Sequence, residues 1–259
     1  VYSIEDARGQ KEQNMNNYKL TIQYDGGRYK GWQRLGDEKN TIQGKIENVL
    51  SAMEGKSVEI VGCSRTDAGV HALAQVANFK SQRDLSEQEI KDYLNHQLPQ
   101  DISVLDVARV PERFHARYNA KEKTYLYKIW NEPQSHPFMR KYSMHVEQKL
   151  DLTSMKQAGA FFIGEHDFTA YANAKSKQKS AVRTISAVKI EELDGRIEIR
   201  LTGDAFLYNM ARKVVGTLIE VGLGEINADR IPEIMASKER IQTGRMAEAC
   251  GLYLEKINY

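Results

Sequence analysis

Between two apolar runs, residues 62–72 read GCSRTDAGVHA and place a carboxylate, Asp67, two residues after a guanidinium, Arg65, and two before a glycine, Gly69. A turn needs only Gly, Asn, Asp or Pro, so Asp67 and Gly69 taken singly are also what a plain strand connection contains. The whole loop points to chemistry. A carboxylate held beside a cation stays ionised, because opposite charge lowers its pKa, and inside a cleft it serves as a nucleophile or general base. Arg65 stands at the right sequence distance to supply that cation. Gly69 frees the backbone to turn tightly, and small Ala68 keeps the carboxylate accessible.

A second group of residues indicates what such a site would act on. Arg113, Phe114, His115, Arg117, Tyr118, Lys121, Lys123, Tyr125, Tyr127, Lys128 and Trp130 alternate cations with rings, and Lys175, Lys177 and Lys179 stud a polar loop near Arg183. Cations hold phosphates while ring faces stack unpaired bases, so the 113–130 stretch fits single-stranded or loop RNA. For the lysine loop, phosphate contact and plain solvation weigh equally. Metal and nucleotide chemistry find no support: the six histidines show no HExxH or paired spacing, and the glycines of 216–224 lack the GK[ST] of a phosphate loop.

The elements that must position these residues follow from periodicity. Residues 18–24 alternate as a strand; Ile42, Ile46, Val49, Leu50 and Met53 recur at helical spacing behind a Thr41 cap. Strands are expected at 58–61 and 75–79, a capping box at Ser86 and Glu89 opens a helix, and 102–109 returns as a strand. The order then repeats. A strand at 124–131 precedes a helix capped by Asp151, a hairpin turns at Asp194-Gly195 between 182–191 and 197–202, a long helix covers 206–221, a short one 231–237, and a strand 252–257. The fold class is α+β: two similar β-α-β-β-α-β halves, ferredoxin-like or RRM-like, with antiparallel or mixed sheets and a central basic cleft. The expected domains are 16–112, carrying the catalytic loop, and 113–259, behind a polar tail at 1–15 in which Met15 is a candidate natural start.

Composition sets the frame. The 259 residues are 41% hydrophobic and 28% charged, enough for real cores, and the net charge of +2 makes any basic character local. Two cysteines without CxxC spacing indicate neither zinc nor a disulfide framework and fit a reducing, cytoplasmic setting. No apolar run approaches the roughly 20 residues of a membrane helix.

With these residues in place, the chain resembles the tRNA pseudouridine synthase A family. The likeness runs in order through YDGGRYKGWQ (24–33), TIQ (41–43), RTDAGVHA (65–72), QVANF (75–79), LPQDI (98–102), FHARYNAKEKTYLYKI (114–129), GEHDFT (164–169), GDAFLYNMARKVVGTLIEVG (203–222) and GLYL (251–254). The resemblance implies isomerisation of uridine at positions 38, 39 and 40 of the tRNA anticodon stem-loop, the base flipped into the cleft. It implies Asp67 as the catalytic aspartate, Tyr125 as the tyrosine that stacks on the uracil, Arg65 as the residue that helps displace the base, and Arg212 as the partner of Asp67. Arg117, Lys121, Lys175 and Lys177 are the candidate phosphate contacts. The reaction it implies needs no cofactor or metal, and its members act as homodimers on tRNA. The chain departs from the family pattern at Gly27, Ser64, Ala74 and Ala211 and in the segment 246–250, which lacks the usual Ala-Pro. A paralogue acting on another RNA uridine, or an inactive RNA-binding module, is the alternative reading.

Overall fold

A computed structural model describes residues 15–34, 36, 38, 40–172 and 180–259. Its first strand, β1 (Asn16–Tyr24), alternates so that Tyr18, Leu20, Ile22 and Tyr24 all enter the core. Helix α1 (Ile42–Glu54) begins where the Thr41 side chain accepts a bond from Gly44 N and ends at Gly55 in the left-handed region. It buries Ile42, Ile46 and Leu50, one stripe at a spacing of four, against the same core. A two-residue strand, β2 (Val61–Gly62), and the long β3 (His71–Ser81) flank the Asp67 loop. Helix α2 (Glu87–Gln97) opens with the reciprocal Ser86–Glu89 capping box, and β4 (Ile102–Val110) completes the first set of strands.

The second set starts with β5 (Glu122–Trp130) and the short β6 (Met144–His145) beside it. Helix α3 (Leu152–Ala160) is capped by Asp151, which accepts from Thr153 N and Ser154 N. The strand β7 (Gly164–Asp167) lies at the sheet edge, and β8 (Val182–Leu193) and β9 (Arg196–Gly203) form a hairpin. Asp194 and Gly195 both have positive φ at its turn, which matches the right-handed twist of the strands. Helix α4 (Met210–Gly222) packs on α3, α5 (Ile231–Ser237) follows, and β10 (Leu252–Asn258) closes the chain.

The strands form one mixed sheet in the order β4-β1-β3-β10-β5-β9-β8-β7, with β2 also paired to β3 and β6 to β5. With the short β6 and the edge strand β7 set aside, β4-β1-β3-β2 and β10-β5-β9-β8 each read fourth, first, third, second in chain order. The join is β10. It pairs in parallel with β3, Tyr253 opposite His71 and Leu254 opposite Ala72, and antiparallel with β5, where Leu254 faces Tyr125. A single residue of β10 thus fixes the distance between the end of the Asp67 loop and Tyr125.

Two expected elements differ. The strand expected at 58–61 shrinks to β2, because α1 side chains take the backbone groups a ladder would use: Ser51 Oγ accepts from Val58 N, Glu47 Oε1 from Ile60 N, and Gln43 Nε2 donates to Ile60 O. The helix expected from 206 starts at Met210, since Asn209 sits at φ +65, outside helical space. Residues 204–209 instead form a loop, which becomes important below. Of the expected tail, residues 1–14 lie outside the described residues.

Leu254 is fully buried at the join whereas Leu105 on β4 is 41% exposed. Leu254→Ala removes core contacts worth about 2–5 kcal/mol, lowering Tm by roughly 5–15 °C in a chain of this size. Leu105→Ala is expected to move Tm by no more than about 2 °C, and thermal denaturation of the two variants side by side checks the contrast.

Candidate active site

The Asp67 loop is held on every side before Asp67 is reached. Ser64 N donates to Gln75 Oε1 at 3.4 Å and Ser64 O accepts from Gln75 Nε2 at 2.7 Å, so a buried glutamine of β3 clamps the loop's entry. The Thr66 hydroxyl meets Tyr24 Oη at 2.8 Å, and Thr66 O accepts from Trp32 N at 3.0 Å. Gly31 (φ +98) lies under this peptide, where a Cβ would come within 2.6 Å of Thr66 O. Val70 N then bonds Asp67 O at 3.1 Å, with Gly69 at φ +81 completing the turn. Asp67 is left at the start of a rigid turn with its side chain 18% exposed.

Its partner is Arg212 on α4, whose Nη1 lies 3.5 Å from Asp67 Oδ2. The guanidinium is aimed from behind: Arg212 Nε donates to Ala247 O at 2.8 Å, and Ala247 N returns a bond to Arg212 O at 3.1 Å. The segment 244–248 that supplies this carbonyl is tied along α4. Buried Lys213 donates to Gly244 O at 2.7 Å, Gly244 N donates to Thr217 Oγ1, and Arg245 N donates to Glu220 Oε1. Gly216 lets it approach, since a Cβ there would sit 1.7 Å from Arg245 O.

Tyr125 on β5 completes the group. Its hydroxyl meets Ser64 Oγ at 2.9 Å, and its ring packs edge-on to Phe206 with centroids 4.9 Å apart. Phe206 comes from the loop that replaces the expected start of α4. Burial pushes the Tyr125 hydroxyl up to about 12, so it is protonated at neutral pH.

These residues line a cleft of about 930 Å³. Its walls carry Arg65, Arg117, Lys123, Arg183 and Arg212 against the carboxylates of Asp67 and Asp204, a positive surplus that suits a polyanion. Arg65 and Arg117 are exposed on this wall. Lys121 is not among the lining residues; its backbone N bonds Asn258 O near the chain's end. Lys175 and Lys177 lie outside the described residues. No group of three or more His, Cys, Asp or Glu that could hold a metal ion occurs among the described residues, and no helix there is long and apolar enough to cross a membrane.

One electrostatic expectation is reversed. A neighbouring guanidinium predicts a lowered pKa for Asp67; its pKa is raised, because loss of water around the carboxylate outweighs the attraction and hydrogen bond of Arg212. The cation beside it is also Arg212, 145 residues away, rather than Arg65. Burial of this kind depends on the folded surroundings and leaves no trace in local spacing. Ser64, Gln75, Phe206 and Lys213 escape a sequence reading as site residues for the same reason, although the Ser64 departure from the family's glycine marks that position.

A cationic cleft with a half-buried carboxylate suits a polyanionic substrate, and comparison with known proteins identifies the family. The model of a family described as tRNA pseudouridine synthase matches residues 20–119 and 158–259. The chain is 61% identical over 245 residues to tRNA pseudouridine synthase A 2 of Bacillus anthracis and 62% identical over 245 residues to tRNA pseudouridine synthase A of Bacillus sp. (strain KSM-64), in each case across 95% of this chain and all of the relative. It is 45% identical over the same shares to tRNA pseudouridine synthase A of Acetivibrio thermocellus. The chain belongs to the tRNA pseudouridine synthase family, in its synthase A branch, and is an isomerase of tRNA uridine.

The raised pKa of Asp67 has a stability consequence. A carboxyl that binds its proton more tightly folded than unfolded opposes folding whenever it is ionised, and that penalty fades as pH falls through the folded pKa. Asp67→Asn is therefore expected to raise Tm at neutral pH. The gain should vanish in acid below the pKa of a free aspartate, where the wild-type carboxyl is neutral in both states. Thermal melts of both proteins across that pH range test the sign.

Proposed function

We propose that the chain converts uridine to pseudouridine at positions 38, 39 and 40 of the tRNA anticodon stem-loop, with Asp67 as the reacting carboxylate. The observation that carries this reading is the Asp67–Arg212 pair in a cation-lined cleft with the Tyr125 ring on the same wall. The N1–C1′ bond breaks, the uracil turns, C5 joins C1′, and the proton lost from C5 is balanced by one gained at N1. Asp67 assists by attacking base or sugar, or by deprotonating the sugar. Arg212 steers the carboxylate and keeps part of its negative charge compensated away from water. Tyr125 stacks on the uracil; being protonated, it takes the C5 proton only in concert with passing its own to Ser64 Oγ, whose proton goes on to water, so neither a phenolate nor an oxonium is formed. Arg65, exposed at the wall, fills the place the flipped nucleotide leaves.

The division into 16–112 and 113–259 is read as a duplication, supported by the two fourth-first-third-second strand runs. Assembly as a homodimer is carried over from the family resemblance. A cytoplasmic location rests on two free cysteines, Cys63 and Cys250.

Asp67→Asn keeps the shape of the side chain and removes its charge. Tritium release from C5-labelled uridine in tRNA should fall to the uncatalysed level, while filter binding of the same tRNA is retained or slightly tightened; release at the wild-type rate would sink the assignment. In the wild type, the acid limb of the single-turnover rate should lie above that of a free aspartate, since burial raises the Asp67 pKa.

Arg117→Ala tests the phosphate contact. The slope of log affinity against log salt should flatten by about 0.7 to 0.9, the value for one phosphate in single or double strands. An unchanged slope would return Arg117 to plain solvation.

A further inference from the structure

The Tyr118 ring is 78% exposed yet held in place. It stacks on His115 with centroids 4.1 Å apart and planes at 26°. His115 is fixed in turn: its Nδ1 accepts from both Arg117 N and Tyr118 N at 3.2 Å, its own N donates to Asn119 Oδ1 at 2.7 Å, and Asn119 N returns to His115 O. With Nδ1 accepting, the ring proton resides on Nε2. The turn is anchored to the sheet through buried Ala116, whose N donates to Asn78 Oδ1 on β3 and whose O accepts from Tyr259 Oη. Histidine and tyrosine both line the Asp67 cleft, and between them stands Arg117.

A large exposed ring held in one orientation loses rotamer freedom without the gain of burial. Here the backbone of the turn is used to immobilise one, with His115 on one face and the remainder open to solvent. We infer that the His115–Tyr118 stack is a platform for an unpaired nucleobase of the tRNA adjacent to the uridine being modified. Tyr125 does not fill this role, because it lies on β5 with its ring edge-on to Phe206 and is assigned to the uracil itself. A ring with its orientation set in advance stacks a base without an ordering cost, and every base offers a face, so the platform holds position without reading sequence. Arg117, adjacent in the chain, lies where the phosphate of that same nucleotide can be met. The inference rests on the tRNA substrate and only in its choice of loop RNA on the proposed anticodon positions.

The test uses the whole protein with Tyr118→Ala and Tyr118→Phe, full-length tRNA, and an anticodon stem-loop carrying 2-aminopurine at one loop position at a time. Tyr118→Ala is expected to weaken binding by about 5- to 150-fold, to abolish fluorescence quenching at one loop position, and to leave the salt slope unchanged, because a neutral ring releases no counterions. Tyr118→Phe keeps the ring face and should keep affinity within about twofold, with the quenching intact. Tyr118→Ala binding as tightly as wild type, or Tyr118→Phe losing as much as Tyr118→Ala, overturns the platform. Wild type that binds full-length tRNA but not the stem-loop refutes the anticodon assignment instead, and the platform is then judged on full-length tRNA by affinity alone.

Discussion

Burying the Asp67 carboxylate costs free energy that Arg212 offsets only in part, and much of the surrounding structure can be understood as holding that imbalance still. An isolated charge drawn from water would protonate, or its loop would move out to solvent. Neither happens easily here. Gln75, Tyr24 and Trp32 clamp the loop from the β3 and β1 side, and the segment 244–248 clamps Arg212 from the α4 side. A carboxylate so held is a better base than a free aspartate, because its proton affinity is higher. It is also a standing source of instability, the usual exchange between activity and fold.

The polar clamps share a physical logic. Two of them tie a backbone group to a buried side chain of a different element, Gln75 to Ser64 and Lys213 to Gly244, and the half-buried Glu220 holds Arg245 N in the same way. Buried polar groups are expensive when unpaired, so such pairings tolerate few alternative geometries. The glycines at 31 and 216 extend the same constraint sterically, since any side chain there would enter a backbone carbonyl. Precision at the site therefore comes from satisfied polar contacts between elements more than from apolar packing.

Helices and their ends were legible in the sequence because their causes are local: the Thr41 cap, the Ser86–Glu89 box and Asp151 each bond within three residues. The hairpin at Asp194-Gly195 was legible for the same reason. What sequence periodicity could not supply is anything decided across the chain. Residues 58–60 look like a strand, yet α1 side chains satisfy their backbone, and no local pattern announces it. The position of β10 between β3 and β5 is set by partners more than 100 residues away. At the site, the types and spacing of 62–72 marked Asp67 as unusual, and the family resemblance supplied Arg212 as its partner. Local spacing favoured Arg65, and the direction of the Asp67 pKa followed from burial, which only the folded surroundings determine.

The placement of β10 also bears on how the molecule comes into being. As the chain is synthesised, β3 and β5 emerge long before the strand that lies between them, so the part of each edge that β2 and β6 do not cover stays unpaired for the whole interval. A join made of such distant partners closes slowly, since the intervening loop must be drawn together before any of its contacts form. Nascent chains arrested before residue 252 would carry both open edges and no link between Ala72 and Tyr125. Until the strand that aligns the site has been made, the growing chain therefore carries open edge that can mispair with its neighbours.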